Sequence, residues 1–237
     1  MEATPQVRPT AETAEVRVTP RTRVKRLPKR AAYDRASINA ILDSALVCHV
    51  GFTLEGQPYV IPTLHARIGE MLYIHGSAAS RMLGTAAQGT PICVTVTHID
   101  GLVLARSAFH HSVNYRSAVI LGIAALVTDE ETKLAAMHGL IDQVAPGRWD
   151  HIRQPTSKEL AATSVLSIPI VEASAKIRTG PAIDDEADYS LPIWAGEIPL
   201  AISALAPIAD PRVPRTIPIP AHVTGYRLPG ARAREGS

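Results

Sequence analysis

One stretch of this chain, residues 58–122, limits what it can fold into more than any other part of the sequence. Its apolar run Leu72-Tyr73-Ile74 leads into the loop His75-Gly76-Ser77-Ala78-Ala79-Ser80-Arg81. Short runs of aromatic and β-branched residues between turn residues are typical of strands. Small residues that expose backbone N–H groups, followed by an arginine fork, form a good anion cradle. The sequence therefore predicts strands that end at a binding site for a phosphorylated cofactor.

Strand-like runs in hairpin order dominate the pattern from residue 45 to residue 127. A turn at 55–58 joins the first two runs, and Asp34 is placed to cap a helix that precedes them. Further helices are expected over 80–88 and 129–144. The sequence thus predicts a mainly β fold with α additions, an antiparallel barrel rather than a βαβ sheet. The expected strands are 45–52, 59–64, 71–75, 92–97, 102–107, 117–127 and 165–170.

The ends of the chain differ from its body in charge and composition. Residues 1–30 carry eight Lys and Arg against three Glu, whereas the body is acidic and the last sixty residues are rich in proline. We expect a flexible basic arm over 1–28, one folded domain over 29–180 and a proline-rich extension over 181–237. Few aromatic residues accompany the basic arm, so a solvated arm is expected and nucleic-acid binding is not.

Cysteine usage and hydropathy bear on the compartment. Cys48 and Cys93 are the only cysteines, and each lies in an apolar run, which favours buried free thiols over a disulfide. No apolar run reaches the roughly 18 residues needed to span a bilayer, and residues 1–30 contain no signal-peptide pattern. The sequence predicts a cytoplasmic protein without a membrane partner.

Four short segments together resemble a known family. They are Tyr59-Val60-Ile61-Pro62-Thr63, the run 72–81 described above, Asn114-Tyr115-Arg116-Ser117 and Pro146-Gly147-Arg148-Trp149. In this order they resemble the flavin-nucleotide-binding split barrels of the pyridoxamine 5′-phosphate oxidase-like superfamily, particularly the branch with the nitroimidazole-resistance proteins. The likeness covers roughly residues 28–194. It implies an antiparallel split β-barrel over 29–180 and a homodimer that holds FMN at the subunit interface.

The resemblance also implies which residues contact the cofactor. Arg81 matches the basic residue that holds the FMN phosphate, and a fork of permanent positive charge suits that role. Pro62 and Thr63 match strand residues along the flavin ring, and His75 matches a histidine close to it, for which we expect a catalytic or wall-forming role. The full expected cofactor-binding set is Ile61, Pro62, Thr63, His75, Gly76, Ser77, Ser80, Arg81, Tyr115, Arg116 and Ser117.

The chain departs from the true oxidases at two places. Ser117 stands where the oxidases have a glutamine, and the tail lacks their substrate signature, so we do not predict vitamin B6 oxidation. Lys176, Arg178 and Trp194 have the chemistry to cover the flavin or to bind an anionic substrate. The alternative is that Lys176 is solvated and that Trp194 anchors the tail.

These residues predict an FMN-dependent oxidoreductase that acts on an unknown small molecule. Three alternatives stay open: a non-catalytic flavin carrier or sensor, a barrel that binds the deazaflavin F420, and a haem-binding variant with His75, His110 or His111 as axial ligand. His98, His110 and His111 lack a recognisable metal-ligand spacing, so no metal site is expected.

Overall fold

The computed structural model describes residues 15–230 and contains an antiparallel sheet with helices packed on it. The strands are β1 (Ala31–Ala32), β2 (Val47–Leu54), β3 (Gln57–Ile68), β4 (Met71–Ser77), β5 (Pro91–Leu104), β6 (Ser112–Ile123), β7 (Ala125–Leu126), β8 (Thr163–Pro169), β9 (Glu172–Arg178) and β10 (Gly196–Pro199). The helices are α1 (Arg35–Asp43), α2 (Arg81–Ala87), α3 (Glu130–Val144), α4 (Ser157–Ala162) and α5 (Ala221–Thr224).

The strand order is β1-β9-β6-β5-β2-β3-β4-β8-β7, with β10 paired to β5. Every pairing in this sheet is antiparallel. The β2–β3 turn shows how local chemistry fixes the register, because Glu55 and Gly56 both adopt positive φ, at 53° and 79°. Two positive φ values in a two-residue loop define a turn whose twist matches the strands on either side.

Strand β3 is divided between two neighbours, and this division splits the barrel. Residues 57–64 pair with β2, whereas residues 65–68 pair with β4. The expected mainly β fold with α additions, an antiparallel split β-barrel, is therefore confirmed.

The core fills the space between the sheet, α1 and α2. Ile38, Leu42, Val50, Ile74 and Ile120 are fully buried there, and alternate residues of the strands point toward them. A smaller cluster joins Tyr73 and Val165 to Ala136 of α3, which lies across β3 and β4.

Helix starts follow the expected capping chemistry. The Asp34 carboxylate accepts a hydrogen bond from the Ser37 backbone N–H, 2.8 Å away, and Asp129 accepts one from Thr132 at 2.7 Å. The predicted starts of α1 and α3 are thereby confirmed. Thr156 and Glu159 form a reciprocal capping box at α4, a helix the sequence analysis did not anticipate.

Three expected strands differ from the observed ones. The predicted runs 92–97 and 102–107 form one strand, β5, which continues through a bulge between Ile99 and Gly101. The run expected over 117–127 begins earlier, at Ser112, and is interrupted between β6 and β7. Strand β9 was not predicted, because the charged residues of Glu172–Arg178 obscure its alternation of buried alanines.

The segments that flank the barrel contain little regular structure. Val16 of the expected basic arm is buried, and the Arg21 guanidinium donates to the Glu172 carboxylate. Residues 1–14 of that arm and residues 231–237 of the expected extension lie outside the described residues. The tail segment, residues 200–219, forms no helix or strand. Within residues 15–230, no helix is long and apolar enough to cross a membrane.

Candidate functional site

The split in the barrel creates a wedge between β3 and β4. Beyond the His65–Ile74 pair the two strands separate, since residues 57–64 of β3 follow β2 and residues 75–77 of β4 pair with β8. Within the part of the chain that the structure describes, no strand pairs with the facing edges of these two segments. The wedge therefore offers backbone N–H and C=O groups to a planar ligand with hydrogen-bonding edges.

Alternate residues of β3 face the wedge from one side of the sheet. Ile61 and Thr63 lie opposite Val50 and Cys48 of β2, which point into the barrel, so the side chains of Ile61 and Thr63 share that face. Ile61 is nevertheless 37% exposed, which leaves its side chain open to a ligand. Pro62, which pairs with His49 of β2, points to the other face of the sheet.

Arg81 closes the end of the wedge. Its guanidinium carbon lies 4.9 Å from the centre of the Tyr59 ring, which brings the first residue of α2 to the start of β3. The Arg81 side chain is exposed, and among residues 15–230 it forms no ion pair. Its N–H groups are thus oriented by an aromatic ring and remain available to an anion.

Two serines lie beside Arg81. The Ser80 hydroxyl accepts a hydrogen bond from the Leu83 backbone N–H at 3.4 Å, and the Ser77 hydroxyl accepts one from Ala79 at 3.2 Å. Each hydroxyl is fixed by this bond and still has its own O–H to donate. Ser77, Ser80 and Arg81 can therefore bind a phosphate as the sequence predicts.

Gly76 allows β4 to approach α2 closely. A Cβ atom built on Gly76 would lie 3.0 Å from Cδ1 of Leu83, a buried residue of α2. A larger residue would separate this helix from the strand, and the position of Arg81 relative to β3 depends on that packing.

His75 lies on the β4 side of the wedge. Its Nδ1 atom is buried and has no hydrogen-bond partner among the described residues. Burial lowers the pKa of His75, which keeps the imidazole neutral near pH 7. A neutral imidazole with an unpartnered nitrogen can contact a flavin ring or donate its lone pair to a metal ion.

This burial predicts a pH effect. Because the folded-state pKa of His75 is below its usual value of 6.5, the unfolded chain binds a proton first as the pH falls. We expect the free energy of unfolding to decrease below about pH 6.5, and to decrease less in His75→Asn. Urea titrations of both proteins, stripped of bound cofactors, at pH 7.5 and 5.5 measure the difference. An identical pH dependence would contradict the neutral state of His75.

The second expected group lies on another part of the sheet. Tyr115 pairs with Arg178, and Ser117 pairs with Lys176, so these four residues form one patch across β6 and β9, the Ser117–Lys176 patch. The Ser117 hydroxyl donates to the Lys176 carbonyl at 3.3 Å. The patch lies three strands beyond β3, since β5 and β2 separate β6 from β3.

This patch faces away from the barrel interior. Ala118, the next residue along β6, is fully buried in the core, so Ser117 points to the outer face, opposite Thr97. Ile61 and Thr63 point to the inner face. One copy of the chain therefore does not bring Ser117 and Lys176 together with the wedge.

Arg116 and Trp194 have separate surroundings. The Arg116 guanidinium donates two hydrogen bonds to the Asp100 carboxylate, each 2.9 Å long. This pairing raises the pKa of Arg116. Its guanidinium is engaged by a carboxylate that lies in the β5 bulge, which leaves fewer of its N–H donors for a cofactor. Trp194 is 69% exposed, and its ring lies against Gly196.

Tyr59 is a site residue that the sequence analysis did not single out. Its ring stacks on Phe52, with ring centres 5.4 Å apart, and also contacts the Arg81 guanidinium. The period-two pattern of β3 would have identified it, since Tyr59, Ile61 and Thr63 must share a face.

No metal cluster is found in the described range. Within residues 15–230, no group of three or more His, Cys, Asp or Glu side chains is arranged to hold a metal ion. His98 instead lies 3.1 Å from the Ile41 carbonyl, and Nδ1 of His111 lies 2.9 Å from the Ser107 carbonyl.

Comparisons with known proteins place this geometry in a family. The family described as pyridoxamine 5′-phosphate oxidase matches residues 34–177, which include β2 to β8 and most of β9. A search of curated protein sequences gives no match.

Several solved structures share the fold. The flavocytochrome Anf3 from Azotobacter vinelandii is 43% identical, with a TM-score of 0.84 over 89% of this chain and 98% of that one. The FAD and heme binding protein from Mycobacterium smegmatis is 34% identical, with a TM-score of 0.82 over 86% of this chain and 100% of that one. A putative 5-nitroimidazole antibiotic resistance protein from Bacteroides thetaiotaomicron is 22% identical, with a TM-score of 0.53 over 62% of this chain and 86% of that one, and shares the fold alone. On the family match and the two closer likenesses together, the chain belongs to the pyridoxamine 5′-phosphate oxidase family.

Proposed function

We propose that this chain is a flavoprotein oxidoreductase that holds a flavin nucleotide in the wedge between β3 and β4. The observation that carries the proposal is the wedge itself: two unpaired strand edges that converge on Arg81, a cation with no ion pair among the described residues. The wedge offers hydrogen-bonding edges for a ring system and a fixed positive charge for a phosphate. The names of two similar structures, a flavocytochrome and an FAD and heme binding protein, support it.

Arg81, Ser77 and Ser80 would bind the phosphate that follows the ribityl chain. FMN and FAD share this phosphate, so the wedge accommodates both, and the name of the mycobacterial relative favours FAD over the FMN that the sequence predicts. Ile61 and Thr63 would lie along the ring, where their backbone edge can exchange hydrogen bonds with the heteroatoms of the isoalloxazine. F420 remains the alternative for the same wedge.

We also propose that the chain holds a haem, whose iron His75 would bind. The fit rests on the buried, unpartnered Nδ1 of His75 and on the neutral state that burial imposes, since a metal-bound imidazole must be neutral. His111 is less suited because its side chain is exposed, and Nε2 of His110, although also buried without a hydrogen-bond partner among the described residues, lies 3.5 Å from the Asp185 carboxylate. A bound haem would supply one-electron chemistry beside the two-electron chemistry of a flavin.

The proposed assembly is a homodimer with a flavin at each interface. The two groups of expected site residues lie on opposite faces of the sheet, so a partner would have to bring its Ser117–Lys176 patch to the wedge. The tail segment, residues 200–219, supports the same assembly, because all of its residues are exposed and many are apolar. Contiguous exposed apolar surface marks an interaction site.

The substrate class that we propose is a small molecule, with a carrier or sensor as the competing function. Turnover separates the two. We expect the purified protein to absorb as a flavoprotein with a haem Soret band, and its flavin to be reduced by NADH or NADPH and reoxidised repeatedly by an added acceptor. A yellow protein without steady-state turnover would favour the carrier.

The cofactors can be identified directly. We expect mass spectrometry of the released cofactors to find FAD or FMN together with haem b, and haem to be lost from His75→Ala while the flavin stays bound. His111→Ala is the matched control and should keep both. A colourless protein with no affinity for FMN, FAD or F420 would overturn the proposed function, and a His75→Ala protein with full haem content would overturn the ligand assignment.

A further inference from the structure

A cavity lies away from the wedge, at the end of β9. Its volume is about 240 Å³. Cationic side chains dominate its wall, and no carboxylate contributes to it. The lining residues are Lys29, Arg30, Ile177, Arg178, Thr179, Pro181 and Ile183.

Arg178 is the buried member of this group. Only 6% of its surface is exposed, and its Nη atoms donate to neutral oxygens: Asn114 Oδ1, the Gly180 carbonyl at 2.9 Å and the Pro181 carbonyl at 3.0 Å. Its Nε–H is buried and has no partner within residues 15–230. Three hydrogen bonds thus hold the Arg178 guanidinium in place, while its Nε–H donor stays unused.

The charge of Arg178 is also uncompensated by contact. Among the described residues no carboxylate lies within ion-pair distance of it, and Glu197 is instead held by the amide of Asn114. Burial and the neighbouring Arg30 lower the pKa of Arg178, and the Glu197 carboxylate, linked to it through Asn114, offsets part of this effect. Buried charges in folded proteins are normally paired, so an anion in the cavity would stabilise this guanidinium.

The number of cations indicates the class of anion. Lys29, Arg30 and Arg178 bring three formal positive charges to one cavity, more than a single carboxylate would balance. A phosphate monoester carries about two negative charges at pH 7 and three strong acceptor oxygens. The Thr179 residue adds a hydroxyl, and Ile177 and Ile183 provide apolar wall for the group that the phosphate carries.

We propose that this cavity, the Lys29–Arg30–Arg178 pocket, binds the phosphate group of a small organic phosphate monoester. The site goes beyond the proposed flavin site: none of its lining residues belongs to the wedge of the same chain, and of the β6–β9 patch that the proposed homodimer would bring to the partner's wedge only Arg178 takes part in it. The buried Nε–H of Arg178 would donate to one phosphate oxygen, while Arg30 and Lys29 close over the others from the more exposed side.

Isothermal titration of the full chain with its native cofactors, using phenyl phosphate at pH 7.5 and 0.15 M salt, tests the proposal. We expect saturable one-site binding below millimolar concentration, with inorganic phosphate weaker and benzoate weaker still. Arg30→Ala should weaken phenyl phosphate binding about tenfold or more, and Lys29→Ala by severalfold, because each removes a charge-assisted contact. Both changes are at partly or fully exposed side chains, so the fold is retained.

The matched control is Arg26→Ala, which removes an exposed cation from the same segment but not from the pocket. It should leave binding unchanged. Equal weakening by Arg26→Ala would mean diffuse surface attraction and would overturn the proposal, as would benzoate binding as tightly as phenyl phosphate or no binding at millimolar concentration. Binding that is lost in Arg81→Ala but kept in Arg30→Ala would place the phosphate in the wedge and would also overturn it. Loss of flavin alone leaves this result unaffected, so failures of the two proposals are distinguishable.

Discussion

Arg81→Ala is expected to lower flavin affinity by about 30- to 100-fold, since charge-assisted hydrogen bonds to a phosphate each contribute roughly 1.5–3 kcal/mol. The guanidinium is exposed, lies 4.9 Å from the Tyr59 ring centre and has no ion pair within residues 15–230, so its N–H groups are the free cationic donors of the wedge. Alanine favours the helical conformation at the first residue of α2, and the Ser80 cap remains. Quenching of flavin fluorescence on titration into stripped protein measures the dissociation constant.

Two further variants show whether the loss is specific to the wedge. Arg81→Lys should bind flavin more weakly than the wild type but more tightly than Arg81→Ala, because lysine keeps the charge and loses the fork. Arg153→Ala removes an exposed arginine that lies outside the wedge and pairs with Glu159. This variant should bind flavin as the wild type does. If Arg81→Ala retains wild-type affinity while its unfolding curve is unchanged, the phosphate is bound elsewhere and the wedge assignment is wrong.

Local chemistry made the first hairpin turn and two helix starts predictable. The turn at Glu55-Gly56 and the caps at Asp34 and Asp129 each depend on residues within four positions, so the sequence displays them directly. Strand β9 could not be predicted in this way. Its alanines, Ala173 and Ala175, become core residues only because β6 lies beside them, some fifty residues earlier in the chain.

The candidate site was predictable in membership but not in arrangement. The resemblance named Ile61, Thr63 and Arg81, and the register of β3 places Ile61 and Thr63 on the face of Tyr59, whose ring contacts Arg81. It could not reveal that the Arg116 fork is engaged by Asp100, because that contact needs the bulge in β5 to place the carboxylate beside β6. Nor could it assign Ser117 to the outer face, since a shift of one residue in the pairing would reverse the assignment.

Replacing Ile202, Leu205 and Ile208 together by serine is expected to convert the proposed homodimer to a monomer at micromolar concentration. These side chains are 83%, 88% and 97% exposed, although β10 holds one end of the tail segment against β5 and the Tyr226 hydroxyl holds the other against the Val144 carbonyl at 2.8 Å. Burying one such side chain contributes about 1.5–3 kcal/mol. The loss of three from each of two symmetric contacts exceeds what most interfaces tolerate. Sedimentation velocity measures the change.

A second triple variant at the same positions separates the effect of side-chain polarity from that of side-chain shape. The triple change Ile202→Val, Leu205→Ile and Ile208→Val keeps these side chains apolar, so the dimer should persist with at most a small rise in its dissociation constant. The serine variant should also lose flavin, since a monomer keeps the wedge but lacks the partner's Ser117–Lys176 patch. A serine variant that remains a dimer with bound flavin would show that the tail segment does not contact the partner. A monomer that binds flavin as tightly as the wild type would show that the wedge holds the cofactor alone, because binding would then not require the partner's Ser117–Lys176 patch.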